Sequence, residues 1–583
     1  MAFNRLDEDK EESEDEKSPL SPRSQDSLKT DKARMSGSER SSSDGAEKRN
    51  SSLIDRKSSA LYEALPEAVA GRGQAGKARF HVNTYDQKSY LIKEDQPETC
   101  VLEGSAKFVL YAIPEALQSC IHLATTKTLH DEDGTEKTVT LQKKLDNAQP
   151  WDILILGRKR FSKTPISVEA IYQTNITLNI NNMSEEARWK FAMALFASNL
   201  ACDESLHTGQ FMATLNESNE ITNMTRIDLG ARLRYGKKRM EENDFQLQTS
   251  KPYASSGQLG KDYISYYLSQ PDLRIKYLHI WAQNKENIPE EKIAEASVTS
   301  FLDALHEIPQ DQQEEALINI YKVIAANSRN EKQAIKVFSA FDLKTKIEFT
   351  TEILKEIQIT NIRSMRKNAR MEISESVKSS CDILDLSDKT KFDIFKIFNW
   401  KKANEDITLE KNDNDNANVI SELFKKIHKE INNEHPMTRE QIHAMQTLLK
   451  HLQTSITCQS MYDPEKNLSD ELKSLEKLTL QFDLMEKLEQ YSEHLPSSAK
   501  KSLVEDALRD LITREPTHII TDAFLEAIAE HRDTGFLSFF SPERSKGSLL
   551  GDELRPLLSR YAQLTQAPPL EAGAFNPSNF PHQ

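Results

Sequence analysis

From residue 79 onward, apolar and Thr residues alternate with polar ones in short runs separated by turn residues, the period of half-buried strands. Phe80–Tyr85 and Ser89–Lys93 flank Asp86, Gln87 and Lys88 as a hairpin, and Ile121–Leu129 and Thr135–Leu141 flank Asp131–Gly134 as a second. Between them Val101–Tyr111 has the spacing of a helix, with Glu103 near its first turn. The apolar run Pro150–Leu156 suits a strand or a linker. Ser184 is placed to cap a helix carrying Glu185 and Glu186 in its first turn, and Trp189, Ala192, Leu195, Phe196 and Leu200 recur at helical spacing. The chain then enters a polar turn with Asp203, His207 and Gln210, a hairpin of Phe211–Leu215 and Ile221–Ile227 around Asn216–Asn219, and a second turn at Asp228, Leu229 and Gly230. This hairpin brings Asp203 and Asp228 toward one another.

Residues 262–281 read as two helical pieces divided by Pro271. Beyond about residue 287 the pattern is helix upon helix, near 290–307, 311–327, 330–358, 371–382, 417–433, 438–457, 468–492 and 499–513, with no fixed repeat period. The expected fold is α+β: a two-lobed domain over 59–286, divided near 149, followed by an all-α domain over 287–565. Residues 1–58, charged and Ser-rich, bury too little apolar surface to offset their chain entropy and read as a disordered tail. The Pro-rich residues 566–583 read as a flexible tail.

Composition narrows the function. With 76 basic against 91 acidic residues the formal charge is −15, which argues against a general nucleic-acid binder. The five cysteines include no CxxC pair, which disfavours structural zinc and suits a reducing compartment. The N-terminus lacks the basic start and apolar core of a signal peptide, and no window has the length and purity of a membrane span. Gly71–Lys77 approaches a P-loop, but Ala78 lacks the magnesium-binding hydroxyl, the preceding residues do not read as a buried strand, and a strand follows where a helix is needed. No GxSxG elbow or HExxH helix is present. A Cys202–His207 nucleophile is disfavoured because the adjacent Asp203 would raise the thiol pKa.

Two arrangements carry chemistry. A strand Lys93 held by a helix Glu103 would place an ammonium on nucleotide phosphates, against the plainer reading of an exposed lysine and an unrelated acid. Asp203 and Asp228, 25 residues apart, would supply a carboxylate pair for base and metal work. Arg232, Arg234, Lys237, Lys238 and Arg239 follow the second turn, and Lys143–Lys144 and Arg158–Arg160 add further basic clusters, suited to a polyphosphate or to plain solvation. Phe536, Phe539 and Phe540 beside Arg544 and Lys546, and the aromatic-rich Lys391–Lys402, suit a phosphoinositide surface or a buried helix face. Arg363, Arg366, Lys367 and Arg370 read as a solvated cationic face.

The order strand-Lys, helix-Glu, buried helix, Asp203–Leu206–His207–Gly209–Gln210, hairpin, Ile227–Asp228–Leu229–Gly230–Ala231 resembles the atypical kinase-like effectors that Legionella delivers through type IV secretion. The resemblance spans roughly residues 75–285. It implies ATP and Mg²⁺ or Mn²⁺ as cofactors, with Lys93 on the phosphates, Glu103 positioning it, Asp203 as base, His207 bracing the turn or sharing that role, and Asp228 on the metal. Gln210 stands where a metal-binding Asn is usual. The group includes an inositol-hexakisphosphate-dependent kinase, which lends weight to the basic clusters as an inositol phosphate site. The implied setting is the host cytoplasm and the surface of host membranes, with a host protein or lipid headgroup as acceptor. A pseudokinase scaffold binding phosphoinositides, or transfer of AMP instead of phosphate, are the alternatives that the resemblance leaves open.

Overall fold

The computed structural model describes residues 62–69, 77–156, 177–242, 267–398, 437–530 and 546–566, with 175, 423, 425–427 and 429, apart from positions 85, 131–132, 204–205, 207, 231, 235, 465–467, 494, 496–498 and 513. The first expected hairpin forms as β2 (Lys77–Asn83) and β3 (Ser89–Glu94), antiparallel, with Phe80 opposite Leu91. Its turn is held by Asp86 Oδ1, which accepts from Lys88 N at 2.9 Å, and Gln87 adopts φ +57°. The second forms as β4 (Thr125–His130) and β5 (Glu136–Lys143). A fifth strand, β1 (Tyr62–Val69), joins the edge in the order β1-β2-β3-β5-β4. The sequence excludes only a buried strand there, and the strand that forms is an edge strand. Pro66 is tolerated because the strand is an edge and its pairing shifts register between Ala64 and Val69. The loop 70–76 lies outside the described residues.

The helix expected over 101–111 starts earlier and ends sooner, as α1 (Pro97–Gly104), with Pro97 in the first turn where its missing N–H costs nothing. The chain then tightens into 3-10 turns over Ser105–Ala112 and Glu115–Cys120. Gly104 packs directly on β4: a Cβ there would lie 2.7 Å from Thr126 N. Thr126 Oγ1 donates to Cys100 O at 2.7 Å, locking α1 to the sheet.

Pro150–Leu156 divides into β6 (Ala148–Pro150) and α2 (Trp151–Leu156). β6 extends the third expected hairpin, β7 (Phe211–Leu215) and β8 (Ile221–Arg226), into a three-stranded sheet. Trp151 is wholly buried against Phe191, Phe211 and Tyr267, with ring centroids 5.0, 6.0 and 5.4 Å away. Phe191 belongs to α3 (Glu185–Leu200), whose cap is as expected, Ser184 Oγ accepting from Ala187 N at 3.1 Å. Every residue from Trp189 to Leu200 is buried, as befits a helix surrounded on all faces.

After the short α4 (Gly236–Glu242) the elements among the described residues are helices: α5 (Pro271–Trp281), α6 (Glu290–His306), α7 (Gln310–Ala325), α8 (Glu331–Ser339), α9 (Leu343–Ile383), α10 (Asp388–Ile397), α11 (Arg439–Tyr462), α12 (Ser469–Glu493), α13 (Ala499–Asp510), α14 (Pro516–Ile519), α15 (Asp522–Glu530) and α16 (Lys546–Gln566). The segments expected at 330–358 and 371–382 are redistributed. A break before Asp342, which caps Thr345 N, leaves α8 short, and α9 runs unbroken for 41 residues.

Its polar middle continues as helix because its arginines find partners, which corrects the reading of a merely solvated face. Arg366 donates to Gln283 O, Ile288 O and Glu290 Oε2 at 2.8, 2.6 and 2.6 Å, and Arg370 Nε donates to Ala282 O at 3.0 Å. Two of these acceptors, the carbonyls of Ala282 and Gln283, lie where α5 ends, a favourable place for positive charge. One apolar core runs from Val101 through Leu554, and a smaller one (Ile92, Leu129, Val139, Leu141) lies within the five-stranded sheet.

Where α5, α9 and α11 meet, His279 Nε2 lies 3.1 Å from His451 Nδ1, and His451 Nε2 lies 3.0 Å from Ser376 Oγ. Burial pushes His451 down to about 4 and His279 well below its ordinary value, so both are neutral in the folded protein. The unfolded chain binds these protons from about pH 6.5 downward, so stability falls with pH between there and about 4. His451 alone is expected to cost about 2 kcal/mol by pH 5. Urea unfolding at pH 7 and pH 5 measures this, and His451→Asn should reduce the drop.

The aromatic stretches divide. On α10 Phe392 is 61% exposed with Lys396 Nζ 4.6 Å from its ring centroid, whereas Phe398 is buried. Phe536, Phe539, Phe540 and Arg544 lie outside the described residues, and Lys546 opens α16. Among the described residues no helix is long and apolar enough to cross a membrane.

Candidate nucleotide site

Lys93 stands near the end of β3, paired with Ala78 on one side and Thr140 on the other. Its Nζ donates to Glu103 Oε1 at 2.9 Å and to Asp228 Oδ1 at 3.0 Å. Three elements thus converge on one ammonium: a central strand, α1 ten residues on, and the turn after β8, 135 residues away. Glu103 is buried, and its second oxygen accepts from Thr140 Oγ1 at 3.3 Å. The Asp228 side chain is 43% exposed and forms the open edge of the cluster, while Lys93 is 18% exposed. Asp228 adopts φ +60°, a conformation that Asp tolerates better than most residues and that marks a constrained turn. Gly230 lies beside this cluster: a Cβ there would be 3.4 Å from Asp228 Oδ1 and 3.7 Å from Glu103 Oε2, ordinary contact distances.

Electrostatics follow from this geometry. Burial works against the Lys93 ammonium, but Glu103 and Asp228 outweigh it and hold its pKa above the ordinary lysine value. Burial raises Glu103, with Lys93 pulling it back and Asp228 pushing it further up. Asp95, two residues beyond Lys93, is raised by burial too. One cation facing two carboxylates leaves a net negative cluster, a place for a cation that arrives together with phosphate.

The two aspartates expected to act as a pair bind different cations. Asp203 Oδ2 accepts from Arg226 Nη2 at 2.9 Å, and both side chains are fully buried. Arg226 also donates from Nε to Ser198 Oγ at 3.1 Å and from Nη1 to Gln210 O at 3.2 Å and to Ile227 O. It therefore ties the end of α3 and the Asp203–Gln210 turn to the strand leading into Asp228. Gln210 closes that turn, its side chain buried and its carbonyl accepting from Ile227 N at 2.9 Å. His207 lies outside the described residues.

Arg232 is corrected from surface to interior. It donates to Ser105 Oγ at 2.8 Å and Ser297 Oγ at 3.4 Å, with its guanidinium 4.8 Å from the Phe108 ring centroid. Burial pulls its pKa down to about 10, and it offers no face to an inositol phosphate. Arg234 is exposed, and Lys237, Lys238 and Arg239 on α4 are half-buried.

Among the described residues no group of three or more His, Cys, Asp and Glu side chains could hold a metal ion alone. The exposed Asp228 carboxylate fits a different requirement, since magnesium usually takes one or two carboxylates and fills its shell with phosphate oxygens and water. Manganese accepts the same oxygen donors. Reading the sequence missed Arg226, Thr140 and Asp95. Arg226 had a signal: two residues after the core residue Met224 on a strand it must point inward, and a buried arginine requires an acceptor.

No protein-family profile and no curated protein matches this chain. Among solved structures it is similar to the crystal structure of a Helicobacter pylori proinflammatory kinase, CtkA, over 53% of this chain and 96% of that one, at 14% identity and a TM-score of 0.26. Likeness this faint carries neither fold nor activity across.

Proposed function

We propose that the chain is an ATP-dependent phosphotransferase whose site is built on Lys93, Glu103 and Asp228. The observation that carries this is the single ammonium shared by a strand, a helix and the post-hairpin aspartate, within hydrogen-bond distance of both carboxylates. Lys93 donates to phosphate oxygens of the bound nucleotide. Glu103, fixed by burial and Thr140, keeps the ammonium from swinging away. Asp228 is the carboxylate that would hold the nucleotide's magnesium or manganese, which when bound neutralises charge on the phosphates.

A second reading, nucleotide binding without transfer, is favoured by the burial of Asp203 against Arg226, which keeps that carboxylate from an acceptor hydroxyl. Action on a host protein or lipid headgroup, activation by an inositol polyphosphate and docking on phosphoinositide membranes belong to the same proposal and rest on the motif resemblance. Exposed Arg234 with Lys237, Lys238 and Arg239 would then serve the polyphosphate without Arg232.

Incubation with γ-labelled ATP and magnesium, with and without inositol hexakisphosphate, tests the reading. Label transfer is expected from the unaltered chain, and Asp228→Ala should lower it on the order of 100-fold or more. Unchanged transfer in that variant would refute the assignment. Nucleotide binding with no transfer would select the second reading.

A further inference from the structure

The sequence separates the helical half from the candidate site, yet one residue of α9 reaches beneath the turn that carries Asp203. Asn361 is 2% exposed, and its Nδ2 donates to Asn199 O at 2.9 Å, with Leu200 O and Cys202 Sγ each 3.5 Å away. Asn199 and Leu200 close α3, and Asn199 O already accepts from Cys202 N at 3.0 Å, so the Asn361 amide is a second donor that ties this helix end to α9. Immediately beyond, Cys202 takes the left-handed φ of +52°, a strained choice for a non-glycine that persists only when its surroundings hold it. The backbone is pinned from both sides: Asp203 N donates to Ser198 O at 2.9 Å, and Leu233 N donates to Cys202 O at 3.0 Å. The second bond links this turn to the one after Asp228. One helical turn before Asn361, Ile357 lies against Gly236, where an added Cβ would come within 2.8 Å of its Cδ1. A single face of α9 thus meets both the Cys202 turn and the start of α4.

We propose that Asn361 is a positioning residue for that site, its amide holding the left-handed Cys202 turn from which Asp203 and, through Leu233, the Asp228 loop take their places. The proposal rests on the phosphotransferase reading for its catalytic consequence and on geometry alone for its structural one. Asn361 touches no reacting atom; it acts through the backbone of residues 199–203. The helical half is then part of the enzyme's support.

The test uses the full chain carrying Asn361→Leu or Asn361→Asp, the latter keeping the shape but removing the donor. Ile373→Ala, a core truncation elsewhere on α9, is the control for lost stability. With all variants folded by circular dichroism, Asn361→Leu is expected to lower the kcat of ATP turnover on the order of 10-fold with KM for ATP within about twofold, since Lys93 and Glu103, which hold the phosphates, lie on elements that Asn361 does not touch. Ile373→Ala should leave both constants near those of the unaltered chain. A kcat loss in Asn361→Leu no greater than in the control, or a rise in KM without a fall in kcat, would overturn the proposal. Hydrogen exchange gives an independent readout. Amides of Cys202, Asp203 and Leu233 should exchange faster in both Asn361 variants while Lys93–Glu103 is unchanged, and unaltered exchange at 202–203 would overturn it equally. If the unaltered chain turned over no ATP, the phosphotransferase reading would be at fault, and the exchange pattern would decide the role of Asn361.

Discussion

Replacing Lys93 by Met is expected to lower ATP turnover by about 100- to 1000-fold, the scale on which a preorganised charge at the reacting centre acts. The same substitution should unfold little of the protein. Its loss leaves Glu103 and Asp228 facing each other without a counter-ion, but Glu103 is already raised by burial and takes up a proton to relieve the repulsion. Asp228, 43% exposed, turns to water. Lys93→Arg should fare almost as badly, because the planar guanidinium cannot occupy a point shared by oxygens at 2.9 and 3.0 Å from one nitrogen. Turnover of labelled ATP paired with thermal unfolding separates the two effects. A Met variant that kept its activity would remove Lys93 from the site, and one that merely failed to fold would show the cluster to be structural.

The Asp203–Arg226 pair is expected to give the largest effect on stability. Breaking a fully buried ion pair by removing one partner leaves the other charged and dry, at a cost of about 3–5 kcal/mol. Arg226→Met also removes the guanidinium donors to Ser198 Oγ and to the carbonyls of Gln210 and Ile227, so it should be the worse of the two single changes. The double variant Asp203→Leu, Arg226→Met should be less destabilised than the sum of the singles, because no charge is stranded. Urea midpoints for the four proteins make the cycle. Were Asp203 free to serve an acceptor, Asp203→Asn would abolish turnover and leave the midpoint in place; the buried pair predicts a lowered midpoint as well.

What could be read from the sequence was local. The β2–β3 hairpin put Lys93 at a strand end, the Ser184 cap fixed the start of α3, and the Asn216 turn set the β7–β8 register, because turn chemistry and period-two alternation act over a few residues. The strand-then-helix order suggests that Lys93 and Glu103 meet; that Asp228 joins them follows only from the motif resemblance, since the hairpin by itself points Asp228 toward Asp203. What escaped was the choice of partner across long separations. Arg232 looked like one member of a basic surface, but its hydrogen-bonding partners, Ser105 and Ser297, lie 127 and 65 residues away. Asp203 reads as a base beside the metal-binding Asp228, whereas the buried Arg226, two residues before Asp228, pairs with it. The stretch 359–370 reads as a solvated cationic face, yet it carries Asn361 and Arg366, buried where they donate to carbonyls at and beyond the ends of α3 and α5. Period alone does not distinguish a polar residue that caps a neighbouring helix from one that faces water.

An ATP analogue bearing an acyl phosphate transfers its acyl group to whichever lysine touches the phosphates, and peptide mapping identifies it. With magnesium present, the acyl group is expected on Lys93, and excess ATP should protect that residue. Acylation spread over surface lysines, with Lys93 untouched and ATP without effect, would contradict the assignment of this site.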